Sequence, residues 1–346
     1  MPVTVIVGGQ FGSEGKGKVS AAVAKVSRPA AIVRVGGPNS GHTAVDDSGK
    51  TWTLRQIPAA AVSCQATVII PAGCLVDLPV LLAEARALGL TPERLRIHPN
   101  ASLVSSVHRL REVRSGLVEQ IGSTGSGTGA SLVDRINRSG RHCLASSAPE
   151  LAPYLDAELP VFMRDLLDGG ARILVEGTQG IGLSLLHSPY YPYVTSRDTS
   201  AAGFVSEAGL SPLDVDDVVL VIRAFPIRVG GNSGPLPNEM SWTEVAREAR
   251  LAENYCEYTS VTGRIRRVAR FDAGIARLGV SINRPSRIAV NHIDYVDPDA
   301  AVSGPTHASL TFVHGVEAAI GQRIDLLGYG PDTLLPRAAI EQRMCA

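Results

Sequence analysis

Short apolar runs alternate with amphipathic stretches along the whole chain. The first run, VTVIV at 3–7, is rich in β-branched residues and ends in Gly8-Gly9, which predicts a buried parallel strand. A glycine-rich loop follows, then GKVSAAVAKV, which predicts a helix. AAIVRV at 30–35 predicts the second strand and ends in Gly36-Gly37. Further strands are predicted at 67–70, 172–176, 218–225 and 287–291, and helices at 78–88, 107–121, 159–169 and 242–255. Strand, loop, helix, strand is the opening of a doubly wound α/β fold. We therefore expect a mostly parallel central sheet with helices on both faces and inserted subdomains. There is no repeat and no low-complexity tract. The best composition break, 140–160, is no clean linker, so residues 1–346 read as one domain.

Composition narrows the classes. Hydrophobic residues are 45% and charged residues 19%, below the ~25% average, which excludes intrinsic disorder. Lys+Arg and Asp+Glu balance at 33 each. That argues against a general nucleic-acid or membrane-surface partner, which needs a positive field. The cysteines (Cys64, Cys74, Cys143, Cys256, Cys345) are scattered, with no CxxC. A disulfide framework or zinc site is not expected, and a reducing cytoplasm fits. No run approaches the ~20 apolar residues of a membrane span, and no basic residues precede the first apolar stretch as in a signal peptide. Glycine, at 35 residues, exceeds its usual ~7% share, which suggests loops that approach phosphates.

The strongest chemical signal is GGQFGSEGKGK, Gly8 to Lys18, between the first strand and the first helix. Glycines let backbone N–H groups approach an anion, the helix N-terminus adds partial positive charge, and Lys16 and Lys18 add full charges. It is not a Walker A loop, because Val19 follows Lys18 where Ser or Thr is required. A strand-to-helix turn with solvated lysines is the plain alternative; the context favours phosphate. The second signal is GGPNSGHT, 36–43, after the second strand. His42 there reads as a general acid, a phosphate ligand or an ordinary surface histidine.

Together these loops resemble adenylosuccinate synthetase, with its GxxxGxEGKGK and GxNxGHT loops. The rest of the chain is similar in order: IGSTGSGTGASLVDRINR (121–138), LVEGTQG (174–180), YPYVTS (191–196), the run from Arg228 to Glu239 and SVTGRIRR (260–267). The resemblance implies a two-step ligase. A nucleoside triphosphate phosphorylates a purine 6-oxo group, making it a good leaving group, and the amine of L-aspartate then displaces phosphate. It implies that Gly12, Ser13, Glu14, Gly15, Lys16, Gly17, Lys18, Gly41, His42, Thr43, Asn291, Asp294 and Gly330 meet the triphosphate. Ser13 and Gly41 would touch Mg²⁺, and Ser13, Lys16, His42 and Gln179 would carry the chemistry. Ser13, Asn39, Ser123, Thr124, Gln179, Thr195 and Arg264 would bind the purine monophosphate. Arg138, on a predicted helix, would reach it across a homodimer. Val261, Thr262, Gly263, Arg264 and Arg266 would bind aspartate.

Two departures from the family pattern refine the expectation. The family's general base is an Asp in GDEGKGK; here it is Ser13. An Asp there would crowd the purine 2-position, whereas Ser leaves room and an oxygen that accepts from a 2-amino group. Such a replacement marks a phage branch that acts on dGMP, on the way to 2-aminoadenine in DNA, and that is shorter than bacterial synthetases. The family also reads guanine with Lys-x-Asp; here the run is VNHID, with His292 for Lys and Asp294 kept. ATP or dATP is therefore the expected donor. Gly328 stands where the family has Ser in its last nucleotide loop. The expected substrates are dGMP, L-aspartate and ATP or dATP, in the (host) cytoplasm. An ordinary IMP-using synthetase and a binding-only regulator stay open.

Overall fold

The computed structural model describes residues 2–138, 140, 142–259 and 263–345. Nine strands form the central sheet: β1 (Val3–Gly8), β2 (Ala31–Arg34), β3 (Thr67–Ile70), β4 (Leu95–Ile97), β5 (Ile173–Glu176), β6 (Val215–Arg223), β7 (Arg287–Asn291), β8 (Leu326–Tyr329) and β9 (Thr333–Pro336). Their order is β9-β8-β7-β6-β1-β5-β2-β3-β4. All neighbours are parallel except the edge pair β8–β9. The expected doubly wound, mostly parallel α/β fold is present. From β1 the chain runs out through β2 and β3 to β4, returns to β5 between β1 and β2, and then runs out on the other side through β6, β7 and β8, so β1 lies at the switch point where such sheets open a crevice.

Period-two alternation divides the core. Val3, Val5 and Val7 of β1 and Leu220 and Ile222 of β6 pack on one face, with Val175 of β5. That face is covered by helices Leu159–Asp168, Ala201–Ala208, Ala273–Asn283 and His307–Ile320. Ile6, Ile32, Leu174 and Val221 point to the other face, against helices Lys16–Ser27 and Leu78–Ala87. Burial on both faces explains why these strands read as continuous apolar runs. Three small additions surround the carboxyl edge: a hairpin (His42–Val45 with Thr51–Leu54), a helical insertion between β4 and β5, and a three-stranded antiparallel sheet (Ile227–Arg228, Arg267–Ala269, Glu239–Met240). No helix among the described residues is long and apolar enough to cross a membrane.

Three expectations need correction. The helix expected at 107–121 is two, Ser106–Arg114 and Leu117–Ile121, because Gly116 takes φ 74° and ends the first. The helix expected at 242–255 stops at Glu248. Arg250 turns left-handed there, and Leu251 and Tyr255 fold back onto the small core around Val245 and Phe225. Arg138 is not on a helix: Thr128–Ile136 ends before it, and Arg138 is exposed with φ 51°.

Candidate active site

Loops from the carboxyl ends of β1, β2, β5 and β6 line one cavity of about 440 Å³. It brings together Gly12, Ser13, Lys16, Asn39, Gly41, His42, Ser123, Thr124, Gln179, Thr195 and Arg266. These residues are scattered over the sequence, and the switch-point topology gathers them.

Glu14 organises the first loop. Its buried carboxylate accepts from the Gln10 amide (3.1 Å), the Gly12 amide (2.8 Å) and Lys16 Nζ (2.6 Å). The carboxylate is thus turned away from any ligand, and Lys16, itself 2% exposed, arrives at the cavity already paired. Ser13 bulges out between these anchors, exposed, with φ 56°. The helix Lys16–Ser27 starts without a capping side chain, so its first-turn amides stay available to an anion.

A buried triad sits beside this loop. Glu176, at the end of β5, accepts through Oε1 from Arg34 Nη1 (3.1 Å), His42 Nδ1 (2.8 Å) and the Ala59 amide (3.0 Å). Burial pushes the Glu176 carboxyl up, but the His42 contact and Arg34 outweigh it and bring the pKa down to about 2. Burial and then Arg34 lower His42 to about 4, against the pull of Glu176. At neutral pH the ring is therefore neutral. Assigning its proton to Nδ1, toward Glu176, leaves Nε2 as the acceptor. A phosphoryl dianion beside such a ring would favour its charged form.

Glu14, Gly15, Gly17, Lys18, Thr43, Asn291, Asp294 and Gly330 lie outside the cavity lining and gather behind the loop. Gly17 packs on the Thr43 backbone; a Cβ there would lie 2.9 Å from Thr43 N. Lys18 Nζ donates to the Gly330 carbonyl (3.1 Å). Burial lowers Lys18 to about 8, against the charges of Asp294 and Asp332. Asn291 is fully buried and donates to the Glu14 carbonyl (2.8 Å). A Cβ on Gly15 would lie 2.6 Å from Asn291 Nδ2, and one on Gly328 would overlap its Oδ1. Asn291 thus braces the loop from behind, and a Ser at position 328 would not fit against it. Asp294 Oδ1 is buried without a hydrogen-bond partner among the described residues.

Val261 and Thr262 lie outside the described residues. Gly263, Arg264 and Arg138 are exposed and are not among the residues that line the cavity.

Several residues were missed. Arg34, Glu176 and Arg223 each end an apolar strand run at the carboxyl edge, and a charge there was the available signal. Arg228 lines the cavity with its guanidinium 4.7 Å from the Phe11 ring centroid and bonded to the Tyr193 carbonyl (2.7 Å). Glu112 also lines it, accepting from Ser123 Oγ and the Gly127 amide; no local pattern announced it.

The family model for adenylosuccinate synthetase matches residues 5–149 and 142–303. Adenylosuccinate synthetase of Archaeoglobus fulgidus is 37% identical over 338 residues, 96% of each chain. That of Pyrococcus horikoshii is 37% identical over 342 residues, 96% of this chain and 97% of its own. Shortness therefore does not single out a phage branch, since these archaeal enzymes match nearly end to end. Among solved structures, succinoaminodeoxyadenylate synthetase of cyanophage S-2L, bound to dGMP and to dATP as an energy donor, superposes with TM-score 0.81 at 29% identity. The match covers 99% of this chain and 97% of the phage chain. Fully ligated adenylosuccinate synthetase of Plasmodium falciparum gives TM-score 0.84 at 18% identity, a likeness of fold.

Proposed function

Because the chain belongs to the adenylosuccinate synthetase family, and is therefore a ligase that forms a C–N bond, we infer that it condenses dGMP with L-aspartate, driven by ATP or dATP. The product is N6-succino-2-amino-2′-deoxyadenylate. Ser13 carries the reading. It lines the cavity with Gln179 and His42, it is exposed, and its left-handed φ is one that Asp adopts more readily. The backbone thus gives no reason to prefer Ser over the family's Asp. A small neutral side chain suits a purine with a 2-amino group. The likeness to the dGMP-bound phage enzyme supports it.

In this reading the purine N1 proton is relayed through Ser13 to a phosphate oxygen or water, the γ-phosphoryl passes to the purine 6-oxygen, and ADP or dADP leaves. The aspartate amine then attacks C6, and phosphate leaves with that oxygen. Lys16 and the first-loop amides hold the phosphates, His42 donates a proton beside the migrating phosphoryl, and Gln179 bonds near the 6-position. Asn39, Ser123, Thr124, Thr195 and Arg264 hold the monophosphate. Arg264 and Arg266, with the 261–263 segment, receive aspartate through guanidinium–carboxylate pairing.

Magnesium fits the donor set. Ser13 and Gly41 line the cavity, Glu14 is already paired, and no cluster of three His, Cys, Asp or Glu occurs among the described residues. The ion would then take its other ligands from phosphate oxygens and water. When bound, it supplies charge neutralisation on the transferring phosphoryl.

A homodimer completes the reading, with Arg138 entering the partner's site. Val107, Leu110, Val133 and Ile136 are exposed on two helices that pack together, Ser106–Arg114 and Thr128–Ile136. Ile136 stands two positions from Arg138 in the chain. We further propose that residues 1–346 are a single domain.

A second reading, IMP with GTP, is favoured by the archaeal relatives and by the unpaired Asp294 Oδ1, which would suit a guanine N–H. The test is phosphate release dependent on L-aspartate, with dGMP or IMP and with ATP, dATP or GTP, the product being weighed by mass spectrometry. Turnover of dGMP with ATP or dATP is expected. Turnover of IMP with GTP alone establishes the second reading.

A further inference from the structure

Glu257 belongs to none of the binding segments assigned above, yet it holds Arg266 of the aspartate segment and Arg223, which reaches the Ser13 carbonyl. Arg223, fully buried at the end of β6, gives Nη1 to the Ser13 carbonyl (3.1 Å) and Nη2 to Glu257 Oε1 (2.5 Å). Arg266 gives Nη1 to Glu257 Oε2 (3.2 Å) from the cavity side. Tyr295 donates to Glu257 Oε1 (2.7 Å), meets the Tyr255 hydroxyl at 2.7 Å, and lies 5.3 Å, ring to ring, from His292. Beyond this cluster, Glu14 is spent on Lys16.

The charge count is uneven. Two guanidiniums, Arg223 and Arg266, share one carboxylate, and His292 is held neutral by burial and Arg223. Arg223 and Arg266 are near enough to disfavour each other's charge. The cluster thus carries one positive charge in excess, the complement of a single carboxylate.

We propose that Glu257 is a positioning residue that couples carboxylate binding at Arg266 to the conformation of Ser13. The proposal rests on the reading above, in which Arg266 receives the aspartate. A ligand carboxylate takes over Arg266, and Glu257, freed of Arg266, keeps both oxygens for Arg223 and Tyr295, which it already holds. Arg223, in turn, fixes the Ser13 carbonyl and with it the loop that faces the purine. Glu257 touches no substrate; it acts through the two arginines.

Coupling of this kind is reciprocal and measurable without turnover. The affinity of dGMP, and of IMP, is measured by calorimetry with no triphosphate present, with and without saturating L-aspartate. In the wild type, aspartate tightens the monophosphate by about 5-fold or more. In Glu257→Gln that linkage is lost, while aspartate affinity is kept or improved because Arg266 has lost its competitor. A merely structural role would weaken both ligands together. Tyr295→Phe, which keeps both arginine pairs, reduces the linkage; Glu257→Asp restores part of it. If Glu257→Gln does not fold, Tyr295→Phe decides. Unchanged linkage in either variant, or a wild type that binds both ligands independently, overturns the coupling alone. A wild type that binds neither dGMP nor IMP overturns the functional reading as well.

Discussion

Replacing Glu176 by Gln removes one charge from the buried triad and nothing else in volume. The wild-type carboxylate is fully buried and serves Arg34, His42 and the Ala59 amide. Arg34, 1% exposed, then keeps only uncharged partners, chiefly the Ser40 hydroxyl and carbonyl. Stranding one member of a buried pair costs about 3–5 kcal/mol; Gln retains an oxygen, so about 3 is expected. At roughly 2 °C per kcal/mol for a large chain, the melting temperature falls by about 6 °C. His42 also loses the partner that raises its pKa. The ring protonates less readily beside a phosphoryl group, and kcat should fall by about 10²-fold, the scale of a general acid. Urea and thermal melts measure the first effect, and phosphate release in the folded range measures the second. A stability loss below about 1 kcal/mol with unchanged kcat would refute both the buried pair and the role of His42.

Two further outcomes are expected. Arg138→Leu should weaken monophosphate binding by about 10-fold, the loss of one charge-assisted contact, and leave triphosphate affinity unchanged in calorimetry; a monomer in light scattering at working concentration would count against the dimer. Lys18, lowered to about 8, is charged below that pH and neutral above it. The kcat/KM for the triphosphate should therefore fall as pH rises through about 8 and hold level in Lys18→Arg; a flat wild-type profile would remove Lys18 from that site.

The central strands and the first helix were legible because a sheet buried on both faces writes itself as unbroken apolar runs. TVII and RIAVN match β3 and β7 residue for residue. The outer strands β4, β8 and β9 were not, since they are partly exposed and mix charged, glycine and proline positions (LRI, LLGY, TLLP) where the central strands run apolar. Gly116 shows the same limit from another side: a single left-handed residue divides an amphipathic run that periodicity alone would continue. The phosphate-facing loops announced themselves through glycine and lysine. The residues that hold those loops did not. Glu176, Arg223 and Glu257 act through partners 134, 210 and 34 positions away, and local sequence carries no trace of such distances.

The account turns on Ser13, and the most direct measurement is the ratio of kcat/KM for dGMP over IMP in the wild type and in Ser13→Asp. The left-handed backbone at this position accepts Asp, so the variant tests the side chain rather than the fold. The account predicts a wild type that favours dGMP and a ratio that falls by about 10²-fold in Ser13→Asp, as a charged group enters the space beside the purine 2-position. A wild type that favours IMP, or a ratio that Ser13→Asp leaves unchanged, would contradict it.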